Sequence, residues 1–305
     1  MILSRRTALG LLSTLPLWGS SGCSRKAADG DPLTASMARI EPLFPRKTRP
    51  HSDDWLATHR EPGQTFAQYR APPRQPVVSV FSTIRIVPVG PLSAGQSDVL
   101  ETVADFIRPF FGLALSVDAQ VPLSEIPAEA QRVPYEGARN QILTTYLLQQ
   151  LLPRYRKQTD AAVLGITAVD LWPGEGWNFV FGQGSLTERV GVWSMARNGD
   201  PDADPQTHHL STVRTLKTAL HETAHMFGIK HCIAYECGMN GSNHSEERDR
   251  QPVEFCPECQ AKLWWTCKLD PVARSDALSE VARTHELTAL AAWWKRQAQL
   301  LGAGQ

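Results

Sequence analysis

The sequence is short of several things. Its 31 basic and 31 acidic side chains cancel, so it lacks the clustered positive charge that nucleic-acid binding needs. No apolar run reaches the roughly 20 residues of a membrane-spanning helix. Six cysteines in 305 residues are too few for a disulfide-built scaffold. No internal repeat is visible. What is present is a 42% hydrophobic, 20% charged chain, long enough to bury a large core and too apolar to stay disordered.

The two ends read differently. Residues 1–23 open with Arg5-Arg6, continue through an apolar stretch from Ala8 to Trp18, and end on small residues before Cys23. That layout is a secretory signal, resembling the twin-arginine type, and Gly22-Cys23 resembles a lipoprotein cleavage site. The expectation is export to a bacterial cell envelope with a membrane anchor on a lipidated Cys23; a plain secreted protein is the alternative. Residues 24–76 are rich in Pro, Arg, Ser and Asp and read as a tether followed by an arm, with Trp55, Phe66 and Tyr69 as anchors or as parts of a short helix. Residues 77–305 read as the folded domain.

Within that domain, 77–89 and 162–167 are β-branched, apolar strand candidates, joined by 113–117, 178–181 and 189–197, the last with the look of an edge strand. Val99, Val103, Phe106, Ile107 and Phe110 recur at helical spacing, as do Ile142, Tyr146, Leu147 and Leu151. Residues 272–301 are helical again. Helices alternating with strands give an α+β expectation: a mixed, twisted sheet packed with helices.

The chemistry concentrates after residue 213. Val213, Leu216, Leu220, Ala224 and Phe227 mark one helix, with Ser211 or Thr212 as its cap and Gly228 as its stop. On it lies His221-Glu222-Thr223-Ala224-His225. Two imidazoles four residues apart share a helix face and reach one ion, and Glu222 is turned about 100° from His221, beside the ion but not on it. Gly228 and His231 extend the pattern to HETAHMFGIKH. With 21 glycines and 9 histidines in 305 residues, chance fills both slots roughly 0.2% of the time. The glycine ends the helix with a positive φ, and the turn returns His231 as a third nitrogen ligand, leaving a fourth position open for water.

Cys232, Cys237, Cys256 and Cys259 form C-x4-C and C-x2-C pairs with the spacing of a four-thiolate structural zinc site. Disulfides are the competing account in an oxidising envelope. Cys267 is left over, as a free thiol or as a substitute for one of the four. Asp200, Asp202 and Asp204 hint at a calcium loop but lack its glycine and glutamate, so a solvated acidic loop is expected. His208-His209 read as a surface loop. His244 with Glu246 and Glu247 is a rival third ligand, made redundant by His231.

HETAHMFGIKH followed at once by Cys232, then by Cys237, Met239 and Cys256-Pro-Glu-Cys259, resembles the archaemetzincin family of metzincin-type zinc metalloproteases. The resemblance is strongest over 221–259 and does not reach before 77. It implies two zinc ions per chain: a catalytic one on His221, His225 and His231 with Glu222 as general base for a zinc-bound water, and a structural one on Cys232, Cys237, Cys256 and Cys259. Met239 would be the turn methionine, and Gly241 stands where some metzincins carry a tyrosine ligand. The expected function is peptide-bond hydrolysis by a monomer acting on a peptide or protein, with no nucleic-acid partner. A zinc-stabilised envelope binding module without hydrolytic activity, and an amidase acting on a cell-wall peptide, are the alternatives.

Overall fold

The computed structural model describes residues 31–303. The signal-like segment and Cys23 lie outside them. The chain forms ten α-helices and eight strands among the described residues. In order they are α1 (Pro32–Ile40), α2 (Trp55–Thr58), α3 (Phe66–Arg70), β1 (Thr83–Val89), α4 (Ala94–Phe111) and β2 (Ala114–Val117). There follow β3 (Gln131–Arg132), β4 (Gln141–Leu143), α5 (Thr144–Tyr146), β5 (Asp160–Thr167), β6 (Asp170–Trp172), β7 (Gly182–Gly184) and β8 (Val190–Ser194). The last part is helical: α6 (Pro205–Met226), α7 (Ser245–Arg250), α8 (Pro257–Cys267), α9 (Pro271–Thr284) and α10 (Thr288–Gly302).

The main sheet has the order β2-β1-β5-β8-β7, parallel except for β7, which runs antiparallel on one edge. A small second sheet, β3-β4-β6, lies beside it. The expected α+β mixed sheet is thus present. Every residue of β5 is buried, as a central parallel strand covered on both faces requires. One face carries α4, α6 and the C-terminal helices around Phe106, Phe110, Trp193, Leu216 and Trp264. The other buries Val87, Val89, Leu147, Leu151, Val163 and Val192. Burial of such side chains, at about 25 cal/mol per Å² of apolar surface, is what holds α6 against the sheet.

Several expectations need correction. Residues 77–79 are a 3₁₀ turn whose Val77 amide bonds to Thr266 Oγ1 at 3.2 Å, so the strand begins only at Thr83. The stripe at 142–151 begins as strand β4 and continues as irregular helix with a π turn at Leu147–Leu151, because Pro153 cannot supply an amide to close regular turns. Within the expected strand 178–181 only Val180 pairs, as an isolated bridge to Leu171, and the regular strand falls on Gly182–Gly184. Strand β8 is interior, not an edge: β5 flanks it on one side and β7 on the other. Helix α6 starts two turns before the expected cap, because Asp204 accepts from the Thr207 amide at 2.9 Å and Pro205 suits the first helical position. His208 and His209 therefore lie on α6. The aspartates hold local structure: Asp200 accepts from the Asp202 amide at 3.1 Å, Asp202 accepts from the Gly95 amide at 2.8 Å and from the Ser93 hydroxyl at the start of α4, and Asp204 caps α6.

The described part of the arm, residues 31–76, lies against the domain. Ile40, Phe44, Phe66 and Tyr69 enter the main core, and the Tyr69 hydroxyl donates to the Phe227 carbonyl at 2.7 Å, just past the end of α6. Both readings of the aromatic anchors hold: Phe66 and Tyr69 are buried and belong to the short helix α3.

Candidate metal centre and active site

Helix α6 presents His221, Glu222 and His225 at its C-terminal end, and Gly228, at φ +76°, turns the chain back so that His231 faces them. Ligand nitrogens of the three histidines lie within 4.8 Å of one another. His221 Nδ1 donates to the Gly238 carbonyl at 2.8 Å, and His225 Nδ1 donates to the Ile229 carbonyl at 2.7 Å. That leaves both Nε2 atoms without protons in the neutral rings, yet they face each other at 2.9 Å. Burial pushes the His221 imidazole well below its ordinary pKa and the His225 imidazole down to about 4, so protonation does not relieve the opposed lone pairs. A cation between them does. Tetrahedral zinc with 2.0–2.1 Å bonds sets nitrogen–nitrogen edges of about 3.3 Å, close to what is found. The residues fit a zinc ion.

Glu222 sits at the base of the cleft, 7% exposed. Burial pushes its carboxyl up to about 8, against a hydrogen bond from the Gly184 amide that lowers it. Glycines make its place. A β-carbon on Gly182 would lie 2.7 Å from Glu222 Cγ, and one on Gly184 would lie 2.7 Å from the Glu222 carbonyl oxygen. Strand β7 can lie on α6 only because it carries no side chains at these two points. A cleft of about 680 Å³ opens above, lined by β7, Trp177, Phe179, Phe181, the histidines and the 238–252 segment.

Met239 is fully buried in the loop after His231, and its carbonyl accepts from the Cys232 amide at 2.7 Å. The Asn240 side chain ties the loop by donating to the Cys232 and Tyr235 carbonyls at 2.7 and 3.0 Å. Cys232, Cys237, Cys256 and Cys259 are buried, and their sulfurs lie within 4.8 Å of one another. The Cys232 and Cys256 sulfurs are 3.6 Å apart, too far for a disulfide and near the roughly 3.8 Å edge of a tetrahedron with 2.3 Å zinc–sulfur bonds. Hydrogen bonds from the other three thiols pull the Cys232 thiol far below its ordinary pKa, so one proton leaves this cluster readily. Cys267 stands apart as a buried free thiol, held up to about 12 by burial.

The arm adds residues that no motif announced. Glu61 Oε1 accepts from His231 Nδ1 at 2.8 Å and from Trp55 Nε1 at 2.9 Å. Burial raises the Glu61 pKa, but those two hydrogen bonds outweigh it and hold the carboxyl below its ordinary value. The Trp55 indole packs on Gly241, where a β-carbon would meet it at 2.6 Å, so the position of a tyrosine ligand in some metzincins is covered here by a tryptophan from the arm. His244 supplies no ligand to the centre. It caps α7 by accepting from the Glu247 amide at 3.3 Å, and Glu247 in turn accepts the Trp55 amide at 3.0 Å. Arg248 lines the cleft, stacked 3.8 Å over Phe181 and donating to Thr218 and Asn198.

Two histidines and a buried glutamate at the end of one helix, met by a third histidine from the turn after it and open to a cleft beside a sheet edge, define a zinc metallopeptidase. Comparison with known proteins agrees. Residues 99–264 match the model described as Peptidase family M54. Human Archaemetzincin-2 is 32% identical over 300 residues, which span 88% of this chain and 82% of the human protein. The archaemetzincin of Thermococcus kodakarensis is 34% identical over 182 residues, or 59% of this chain and 96% of that one. The crystal structure of archaemetzincin from Methanopyrus kandleri superposes with a TM-score of 0.50 at 30% identity, covering 62% of this chain and 97% of that chain. The chain belongs to peptidase family M54, the archaemetzincins.

Proposed function

We propose that this protein hydrolyses peptide bonds with Glu222 as general base, on a zinc ion held by His221, His225 and His231, and that a second zinc sits on the four cysteines. The observation that carries the reading is the pair of bare Nε2 atoms 2.9 Å apart at the floor of an open cleft, with Glu222 beside them. Zinc in that position would supply a water acidified to near neutral pKa, charge for the developing oxyanion, and a field that favours the Glu222 carboxylate. Glu222 takes the proton as water attacks the carbonyl carbon, and it delivers that proton to the amine as the C–N bond breaks. Strand β7 ends the main sheet and lines the cleft, which suits an extended peptide added as a further strand along its outer edge.

Glu222→Gln is the direct test. It keeps the side chain's size and leaves the histidines intact, so zinc remains while hydrolysis falls at least 10²–10⁴-fold. Full hydrolysis by that variant would sink the assignment. A screen of peptide libraries beside muropeptides separates general peptide hydrolysis from action on a cell-wall amide; turnover of muropeptides alone would favour the latter.

A further inference from the structure

We infer that the N-terminal arm is part of the catalytic centre: Glu61 is a positioning residue that holds His231 as the third zinc ligand, and Trp55 braces the pair. The inference rests on the three-histidine reading above. His221 and His225 are spaced by a helix and oriented by backbone carbonyls of the loops next to it. His231 has no helix under it. Its Nδ1 instead donates to a carboxylate 170 residues earlier in the chain. A carboxylate in that role fixes the tautomer that leaves Nε2 bare and makes the imidazole a stronger donor to a metal.

The arm is clamped where this requires it. The Gln64 side chain donates to the Gly228 carbonyl at 3.3 Å and accepts the Lys230 amide at 3.2 Å, so it grips the turn that delivers His231. Lys262 on α8 donates to the Gln64 carbonyl from beneath. On the other side of Glu61, the Trp55 amide is held by both oxygens of Glu247 at 3.0 Å, and the Trp55 ring meets His231 edge-on with centroids 5.4 Å apart. A surface ion pair would need none of this. Glu61 and His231 are 19% and 18% exposed, and one Glu61 oxygen serves both His231 and Trp55. The arm precedes the stretch that the family model matches, residues 99–264, so the third ligand is oriented from outside that stretch.

The test measures zinc affinity at each site by chelator competition on the full-length holoprotein. Glu61→Ala is expected to weaken the histidine site 10- to 100-fold while the cysteine site keeps its wild-type affinity. Glu61→Gln, which retains a hydrogen-bond acceptor but no charge, should fall between; it also carries the test if the alanine variant fails to fold. Wild-type affinity at the histidine site in both variants overturns the inference, as does an equal loss at both sites, which would mean general loosening. Zinc affinities left unchanged by His225→Ala would defeat the three-histidine reading itself, and that control tells the two failures apart.

Discussion

Gly184 on β7 lies so close to Glu222 on α6 that a β-carbon there would sit 2.7 Å from the Glu222 carbonyl oxygen and 3.1 Å from His225 Cβ. The first contact is to backbone, which cannot swing aside as a side-chain tip can. Gly184→Ala must therefore lift the edge strand off the helix that carries the ligands. It also shifts the amide that hydrogen-bonds the Glu222 carboxylate. The expected result is a loss of hydrolysis of 10²-fold or more with zinc retained, of the order seen when a catalytic group is displaced by about an ångström. Steady-state kinetics with metal analysis checks it, and unchanged kcat/KM would show that β7 can move without consequence.

The cysteine cluster makes a separate prediction. Cys256→Ser removes one of four sulfurs gathered within 4.8 Å, and three thiolates do not close a structural zinc site. Zinc content should drop from two to one per chain. The melting temperature should fall by roughly 10 °C, since loss of a structural metal costs at least several kcal/mol. Two zinc ions in the purified variant would rule out the four-thiolate assignment. Cys267→Ser lies outside the cluster and should leave the count at two.

What could be read from the chain follows from distance along it. HETAHMFGIKH and the cysteine pairs are local patterns, so the histidine and cysteine clusters are legible, while β5 announces itself by a short apolar, β-branched run and α4 by apolar residues at helical spacing. Strand β7 is three residues, two of them glycine, with no β propensity to betray it; its role comes from what α6 tolerates above it. Strand β8 reads as an edge because its polar and apolar residues alternate only loosely, yet all five of its residues are buried and it lies between β5 and β7. Glu61 and Trp55 lie far from His231 in sequence and reach it through packing of the arm, a contact that no spacing encodes. Gly241 was a trace of it, since the missing side chain is the space that Trp55 occupies.

Export and anchoring rest on residues 1–23, outside the described structure, and yield their own test. If Cys23 carries lipid, Cys23→Ser should move the protein from the membrane to the soluble fraction of the envelope without changing its zinc content. Membrane fractionation of wild type and variant decides it; a wild-type protein found wholly soluble would leave only a secretory signal.

The pH response of the zinc-free protein follows from the buried groups of the site, and its sign differs on the two sides of neutrality. The folded His225 imidazole titrates at about 4 against an ordinary 6.5, and His221 is shifted the same way. Between those values the unfolded chain binds more protons, so stability from these groups is lost as pH falls from 6.5 toward 4. Glu222 runs the other way. Its carboxyl titrates at about 8 in the fold against an ordinary 4.5, so between 4.5 and 8 the unfolded chain has released a proton that the native state keeps, and stability declines as pH rises through that window. Glu222→Gln abolishes the second effect and leaves the first. With chelator present, the variant should therefore melt higher than wild type at pH 8, by an amount worth a few kcal/mol, and match it at pH 4. Thermal denaturation across that range measures the gap; a gap that did not widen with rising pH would mean that Glu222 is already ionised in the zinc-free fold.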